Sequence, residues 1–433
     1  MYVQKTSAKS DNPSTSDTDG DKLFDDAEVF ATFNNGTLHR YRPTDPNSVD
    51  SDNDGLNDYE ELYTYGTNPN DKFTLKNGYT DYDNFVKDLD NDGIPYGMEM
   101  ALVEKYMPIL YFDDGEDYYP TQVEFMMDHA TLRDSSVFSD PIILENVTSR
   151  ELGVYFDSKK GHDKLYLMLK YNHSSYPNAK ALNNQFRSNY NILTYARVYN
   201  NSSYIVVQYW LFYIYNDFVN KHEGDWELVQ VVLNADTKEP VCTSFSAHHG
   251  GHAKLWNETE KIGTHMKVYV AKGSHANYYK SGGHYLISLE DAILQGATVG
   301  AVSGATIVFI ATASSGPYAL AGAVVGGALG AVGGTVGGII TREATKDNAN
   351  GKGVILEPNN INVGNSNAKK WNFVLLGEIE ENDRSQDWIL FVGHWGYYND
   401  ANARKIGGMN GPNGPITKTD KWLNPAGWAL EML

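Results

Sequence analysis

The chain has 433 residues, 41% hydrophobic and 21% charged, with a net charge of −20. That length gives room for two or three domains, and the acidity argues against nucleic acid as a partner. The lone cysteine, Cys242, excludes an internal disulfide framework.

The charge is concentrated at the start, where residues 1–100 hold 21 acidic and 8 basic side chains. Three segments there repeat one pattern: oxygen-bearing residues at positions 1, 3 and 5 and a Glu at 12, with an Asp at position 9 in the first two. The first is Asp17, Asp19, Asp21, Asp25 and Glu28. The second is Asp50, Asp52, Asp54, Asp58 and Glu61, and the third Asp88, Asp90, Asp92 and Glu99, with Tyr96 at position 9. Side-chain oxygens at alternating positions, closed by a Glu that can bind bidentately, are the arrangement of a Ca²⁺ loop. The sixth-position glycine that eases the turn is Gly55 and Gly93, but Lys22 takes its place in the first loop. The three loops, with the Gly66-Thr-Asn-Pro69 spacer, resemble thrombospondin type 3 and related prokaryotic calcium repeats. Residues 1–103 are therefore expected to be a calcium-ordered segment with too few apolar residues to fold without the ion. A solvated acidic linker is the alternative.

From about Tyr106, short Tyr/Val/Ile/Phe runs alternate with Gly/Asn/Ser/Pro turns. This predicts a mainly β fold, an antiparallel sandwich, over 104–290 and 348–433. Strands are expected at Leu165–Lys170, Tyr204–Tyr215, Trp226–Leu233, His265–Ala271, Trp371–Gly377 and Trp388–Val392. Tyr204–Tyr215 is apolar throughout and reads as a central strand covered on both faces.

Within His222-Glu-Gly-Asp-Trp-Glu227, Asp225 and Glu227 lie two apart and share a strand face, while Trp226 anchors the other. With His222 and Asp217 they form a candidate site for a divalent cation, and its oxygen-rich character favours Ca²⁺ or Mg²⁺ over zinc. A hydrogen-bonded turn is the alternative. Of the histidines at turns, His275 and His248 are the candidate catalytic or supporting residues; the other reading has them satisfying loop carbonyls. No nucleophile elbow, zincin helix, P-loop or dinucleotide fingerprint is present, so the sequence leans away from an enzyme.

The stretch from Tyr209-Trp-Leu-Phe-Tyr213 to Glu227 resembles the metal-binding region of the necrosis- and ethylene-inducing-peptide-like cytolysins. That resemblance implies that Asp217, His222, Asp225 and Glu227 are the ligands of one cation. The chain also resembles the vacuolar protein sorting-associated protein 62 family over residues 104–428, at Tyr106-Met-Pro-Ile-Leu-Tyr111 with Tyr119-Pro120, His222-Glu-Gly-Asp-Trp-Glu227, His248-His-Gly-Gly-His252, Gly273-Ser-His-Ala-Asn-Tyr278, and Gly393-His-Trp-Gly396 with Gly411-Pro-x-Gly-Pro415. This resemblance implies fold and site positions more than an activity.

Ala292 to Thr341 carries no charge. Gly296, Gly300 and Gly304, then Gly322, Gly326, Gly330, Gly334 and Gly338, recur every four residues on either side of a Ser314-Ser-Gly-Pro317 turn. On helices these would form stripes for close packing, in arms long enough to cross a bilayer core of about 30 Å. Residues 291–347 are thus expected to be an inserted glycine-zipper helical hairpin, able to pair copies of the chain into a homo-oligomer.

Taken together, these features predict a secreted or surface protein that binds a membrane lipid or surface glycan and inserts its hairpin, toxin-like. A metal-dependent hydrolase using His222, Asp225, Glu227 and His275, and a membrane-anchored surface protein without lytic activity, are the alternatives. No leader is legible at Met1–Lys5, so export by a trimmed leader or another route is expected.

Overall fold

The computed structural model describes residues 16–25, 28, 44–170, 176–218, 221–248, 250–285, 308–312, 319–323, 346–377, 379, 382–398 and 410–433. The chain divides into two compact units, residues 1–102 and 103–433.

The first unit is a chain of turns punctuated by short helices such as Asp81–Phe85. Its buried apolar side chains among the described residues are Leu23, Leu56, Leu62 and Ile94. Three of them, Leu23, Leu56 and Ile94, sit at position 7 of a loop, just after the left-handed sixth residue.

The second unit is mainly β. Its largest sheet runs β19 (Asn372–Leu375), β5 (Leu193–Asn200), β6 (Tyr204–Asn216), β7 (His222–Asn234), β8 (Pro240–Ala247) and β9 (Gly250–Leu255). A second sheet runs β10 (Lys261–Ile262), β11 (His265–Val270), β1 (Ile109–Phe112), β17 (Ile355–Glu357) and β18 (Ala368–Lys370), with β12 (Asn277–Tyr278) paired to β11. The third is β3 (Ile142–Leu144), β2 (Ala130–Asp134) and β4 (Leu165–Leu169). The two larger sheets are mixed rather than purely antiparallel, because β1 with β11, β17 with β18 and β19 with β5 pair in parallel. Strands joined by long connections are free of the hairpin constraint that forces antiparallel pairing.

β6 is buried on both faces. Its Trp210 and Phe212 stand beside Leu228 and Trp226 of β7 in register, and pack on Leu132, Leu165 and Leu167 of the three-stranded sheet. Toward the C-terminus, Gln208 and Gln230 hydrogen-bond each other and the carbonyls of Lys421 and Pro425. They are thereby satisfied beneath the helices Thr419–Leu423 and Pro425–Leu430. Cys242 is buried with Val206, Val232, Ala426 and Ala429 under the same cover.

Two expectations are corrected. Asp387–Leu390 is a 3-10 turn, not part of a strand, and it aims Trp388 into the core. Inside the insert, β14 (Val308–Thr312) and β15 (Ala319–Ala323) form an antiparallel pair, so this part is not helical and Gly322 lies in a strand opposite Phe309. Val308, Ile310 and Thr312 are β-branched and favour strands, and each glycine in a helix interior costs about 1 kcal/mol relative to alanine. Gly296, Gly300, Gly304, Gly326, Gly330, Gly334 and Gly338 lie outside the described residues. Among the described residues no helix is long and apolar enough to cross a membrane.

The insert leaves and re-enters at one point. β13 (Gly282–Tyr285) pairs antiparallel with β16 (Lys346–Ala349), and Tyr285 faces Lys346.

Candidate functional site

The acidic loops share a backbone built by their own carboxylates. The position-1 carboxylate accepts from the amide at position 6: Asp17 from Lys22 at 3.2 Å, Asp50 from Gly55 at 2.9 Å and Asp88 from Gly93 at 3.0 Å. One oxygen at position 5 accepts from position 7, as Asp21 does from Leu23, Asp54 from Leu56 and Asp92 from Ile94. The remaining oxygens are left facing one another. Asp17/Asp19/Asp21, Asp50/Asp52/Asp54 and Asp88/Asp90/Asp92 each bring three carboxylates within 4.8 Å.

Buried oxygens of Asp19, Asp21, Glu28, Asp52, Glu61 and Asp88 have no hydrogen-bond partner. Such groups are costly to bury uncompensated. Burial, reinforced by neighbouring carboxylates, pushes Glu61 up to about 9 and Glu28 and Asp52 up to about 7. An all-oxygen donor set with unsatisfied charge fits a hard cation, and Ca²⁺ accepts six to eight such ligands.

Position 9 does more than donate to its own loop. Asp25 accepts from the amide and hydroxyl of Thr18, and Asp58 from those of Ser51, closing each loop on itself. Asp58 also stands within 4.8 Å of Asp21 and Glu28, so a side chain of the second loop reaches two of the expected ligands of the first.

Lys22 adopts φ +85°, where the second and third loops have Gly55 and Gly93. The left-handed region costs a residue with a Cβ about 1 kcal/mol or more. Lys22→Gly is expected to tighten calcium binding at the first loop by about fivefold, as read by isothermal titration. An unchanged affinity would mean that the loop carries no such strain.

In the larger unit, the separated histidine and glycine segments meet on the face of β6 and β7 opposite Trp226. Asp225 lies beside Tyr213 in the ladder and accepts from Asn216 Nδ2 and His275 Nδ1, both at 3.0 Å. His275 is fully buried, stacks on Tyr213 at 3.8 Å, and has Nε2 3.8 Å from Glu116 Oε1. Burial opposes its charge, but Asp225 and Glu116 outweigh that and hold the imidazole up at about 9. Glu116 in turn accepts from the amides of Asp117, Tyr118 and Gly273.

Glu227 bonds Ser246 Oγ, and burial with the Asp225 charge pushes it up to about 8. His222 Nδ1 donates to Gly224 O at 2.7 Å, and Asp217 pairs with Lys221. Burial lowers both Lys418 and Lys421, the latter to about 8, against the pull of Glu227 and Asp225.

A second cluster lies at the root of the insert. Asp347 accepts from His248 Nε2 at 2.7 Å and from Ser274 Oγ and Tyr278 OH at 2.6 Å. Ser274 therefore serves Asp347 and not His275, so the two do not form a nucleophile–base pair.

Glycines let these segments approach. A Cβ on Gly224 would lie 1.7 Å from Trp395 O, and one on Gly396 would lie 2.0 Å from Glu223 O. Gly411 is packed against Gly396 in the same way.

Each of the four expected cation ligands has another partner. Among the described residues, clusters of three or more metal-binding side chains occur in the first unit alone. No three ligand atoms of Asp217, His222, Asp225 and Glu227 lie within 4.8 Å of one another. The sequence reading missed Glu116, Asp347, Tyr213, Lys418 and Lys421. Glu116 stands in an acidic Asp113-Asp-Gly-Glu-Asp117 turn and Asp347 beside an uncharged insert, where each reads as ordinary surface charge.

The family described as the bacterial TSP3 repeat matches residues 50–72, which include the second acidic loop. No protein of curated function matches the chain. Solved structures with matching segments include one described as "Toxin fold for microbial attack and plant defense", 26% identical over 18% of this chain and 38% of that one, with a TM-score of 0.17. NLPPya in complex with glucosamine is 18% identical over 42% of this chain and 66% of that one, with a TM-score of 0.25. Necrosis and Ethylene inducing Protein 2 from the causal agent of cocoa's Witches Broom disease is 18% identical over 42% and 69%, with a TM-score of 0.24. The alignments span about two fifths to two thirds of these proteins.

Proposed function

We propose that the chain is a calcium-bound extracellular or surface protein whose larger unit binds a membrane lipid or surface glycan, and whose insert then enters the membrane in a toxin-like manner. The observation that carries this reading is the uncharged run Ala292–Thr341 in an otherwise acidic chain, hung on a ladder whose two strands meet at Tyr285 and Lys346. An excursion with adjacent ends can change its environment without pulling the sheets apart. The acidic loops serve as a calcium-stiffened spacer, a role that the bacterial TSP3 match at 50–72 supports. The motif resemblance to the vacuolar protein sorting-associated protein 62 family is compatible with a binding module and adds no activity.

The test is dye release from liposomes, comparing the full chain with a variant in which an Asn-Gly turn replaces residues 286–345. Two residues suffice to close an antiparallel pair such as Tyr285 and Lys346. The full chain is expected to release dye, and the turn-closed variant to stay folded and release none. Equal leakage from both would overturn the role of the insert. Asp225→Asn with Glu227→Gln is expected to abolish target binding while the calcium loops keep their affinity; unchanged binding would make that centre purely structural.

A further inference from the structure

We infer that residues 73–84 are a fourth repeat of the acidic array, in which the side-chain amide of Asn84 takes the place of the calcium ion. This rests on reading the three acidic loops as calcium loops. Numbered as those loops are, Phe73 is position 1, Leu75 position 3, Asn77 position 5, Gly78 position 6, Asp81 position 9 and Asn84 position 12. Positions 1, 3, 5 and 12 thus all lack a carboxylate, with amides at 5 and 12, which hides the repeat from any pattern of acidic residues.

The backbone nevertheless follows the other loops residue by residue. Position 4 is left-handed in all four, at Gly20 (φ +87°), Asn53 (+58°), Lys76 (+52°) and Asn91 (+59°). Position 6 is left-handed as well, at Lys22 (+85°), Gly55 (+107°), Gly78 (+94°) and Gly93 (+89°). The amide at position 9 donates to the carbonyl just before position 1 every time: Asp25 to Ser16, Asp58 to Val49, Asp81 to Lys72 and Tyr96 to Lys87. Asp81 accepts from the amide of Thr74 at 3.1 Å, as Asp25 does from Thr18 and Asp58 from Ser51. Position 12 is buried in each: Glu28, Glu61, Asn84 and Glu99.

What differs is the centre. In a calcium loop the ion gathers the side chain at position 5, the carbonyl at position 7 and the carboxylate at position 12. Here Asn84 Nδ2 donates to Asn77 Oδ1 at 3.3 Å, to the position-7 carbonyl of Tyr79 at 3.1 Å and to Thr80 O at 2.8 Å. Asn77 Nδ2 returns a bond to Asn84 Oδ1 at 2.7 Å. One NH₂ group thus meets the position-5 and position-7 oxygens a cation would meet, without the charge that requires one. This loop is joined to its calcium-binding neighbour, since Tyr82 N donates to Asp54 Oδ2 at 3.0 Å. It is a permanently closed member of the array that holds one side of the second loop in place before calcium arrives.

Native mass spectrometry of the full chain in calcium tests this, with Phe73→Asp/Leu75→Asp/Asn77→Asp/Asn84→Glu compared with the wild type. The variant is expected to carry one ion more. An equal count in the folded variant overturns the inference, whereas a wild-type chain that takes up no calcium would sink the reading of the acidic loops instead. A second measurement needs no variant. In hydrogen exchange with chelator, the amides of Asp81 and Asn84 are expected to stay protected while those of Asp58 and Tyr96 lose protection. Loss of protection at all four together would show that 73–84 depends on the ion as its neighbours do.

Discussion

Chelating calcium is expected to open the three acidic loops and leave the larger unit folded. The first unit buries few apolar side chains, so little burial is available to offset chain entropy. Against it stand carboxylates with unpaired buried oxygens, and each unit of pKa displacement represents about 1.4 kcal/mol. Without the ion, Glu61 at about 9 and Glu28 and Asp52 at about 7 lie above their unfolded values. A carboxylate raised in the folded state imposes no penalty while protonated in both states. It becomes destabilising as pH climbs from its unfolded value through its folded one. In chelator the three acidic loops should therefore lose order between about pH 4 and 9. In calcium the trend reverses, because protons compete with the ion for the same oxygens. Hydrogen exchange and near-ultraviolet circular dichroism at pH 5 and pH 8, with calcium and with chelator, would reveal the crossover. Parallel pH trends in the two conditions would rule out these carboxylates as ion ligands.

Gly224→Ala is expected to be among the most damaging single changes in the larger unit, costing on the order of 4 kcal/mol or preventing soluble expression. Gly224 has φ +63°, and its added Cβ would sit 1.7 Å from a backbone oxygen that cannot rotate away. Relief would require moving Trp395, which is packed among Phe212, Trp226 and Trp388. Urea unfolding followed by tryptophan fluorescence reads the effect directly. Gly263→Ala is the control, since Gly263 has a similar φ of +60° with open space around it. If the two variants lose similar stability, backbone conformation rather than the contact with Trp395 sets the cost.

The two units differ in how much their sequence revealed. A calcium loop is local: its ligands, turn glycine and closing Glu lie within twelve residues, so spacing alone locates it. The repeat at 73–84 escaped because ligand identity was read where backbone conformation carried the likeness. In the larger unit, long strands such as β6 and β7 were legible from their apolar runs, whereas the mixed pairing of β5 with β19 depends on residues far apart in the chain. The polar centre was half legible. His222, Asp225, Glu227, His248 and His275 stood out by their neighbours, but Glu116 reaches His275 and Asp347 reaches His248 across more than ninety residues. No spacing rule encodes such a contact. At 308–312 and 319–323 the helical expectation failed because a four-residue glycine period suits a helix stripe, while β-branched residues at 308, 310 and 312 favour the strand that forms.

The meeting of Tyr285 and Lys346 also bears on how freely this chain can vary. Closing a loop on fixed ends costs entropy that rises with the logarithm of its length, about 0.6 kcal/mol for each doubling. Because the excursion begins and ends on one strand pair, the sheets around it are nearly indifferent to how many residues it contains. Homologous chains can therefore be expected to lengthen, shorten or exchange this segment while retaining the residues that surround Asp225 and Asp347.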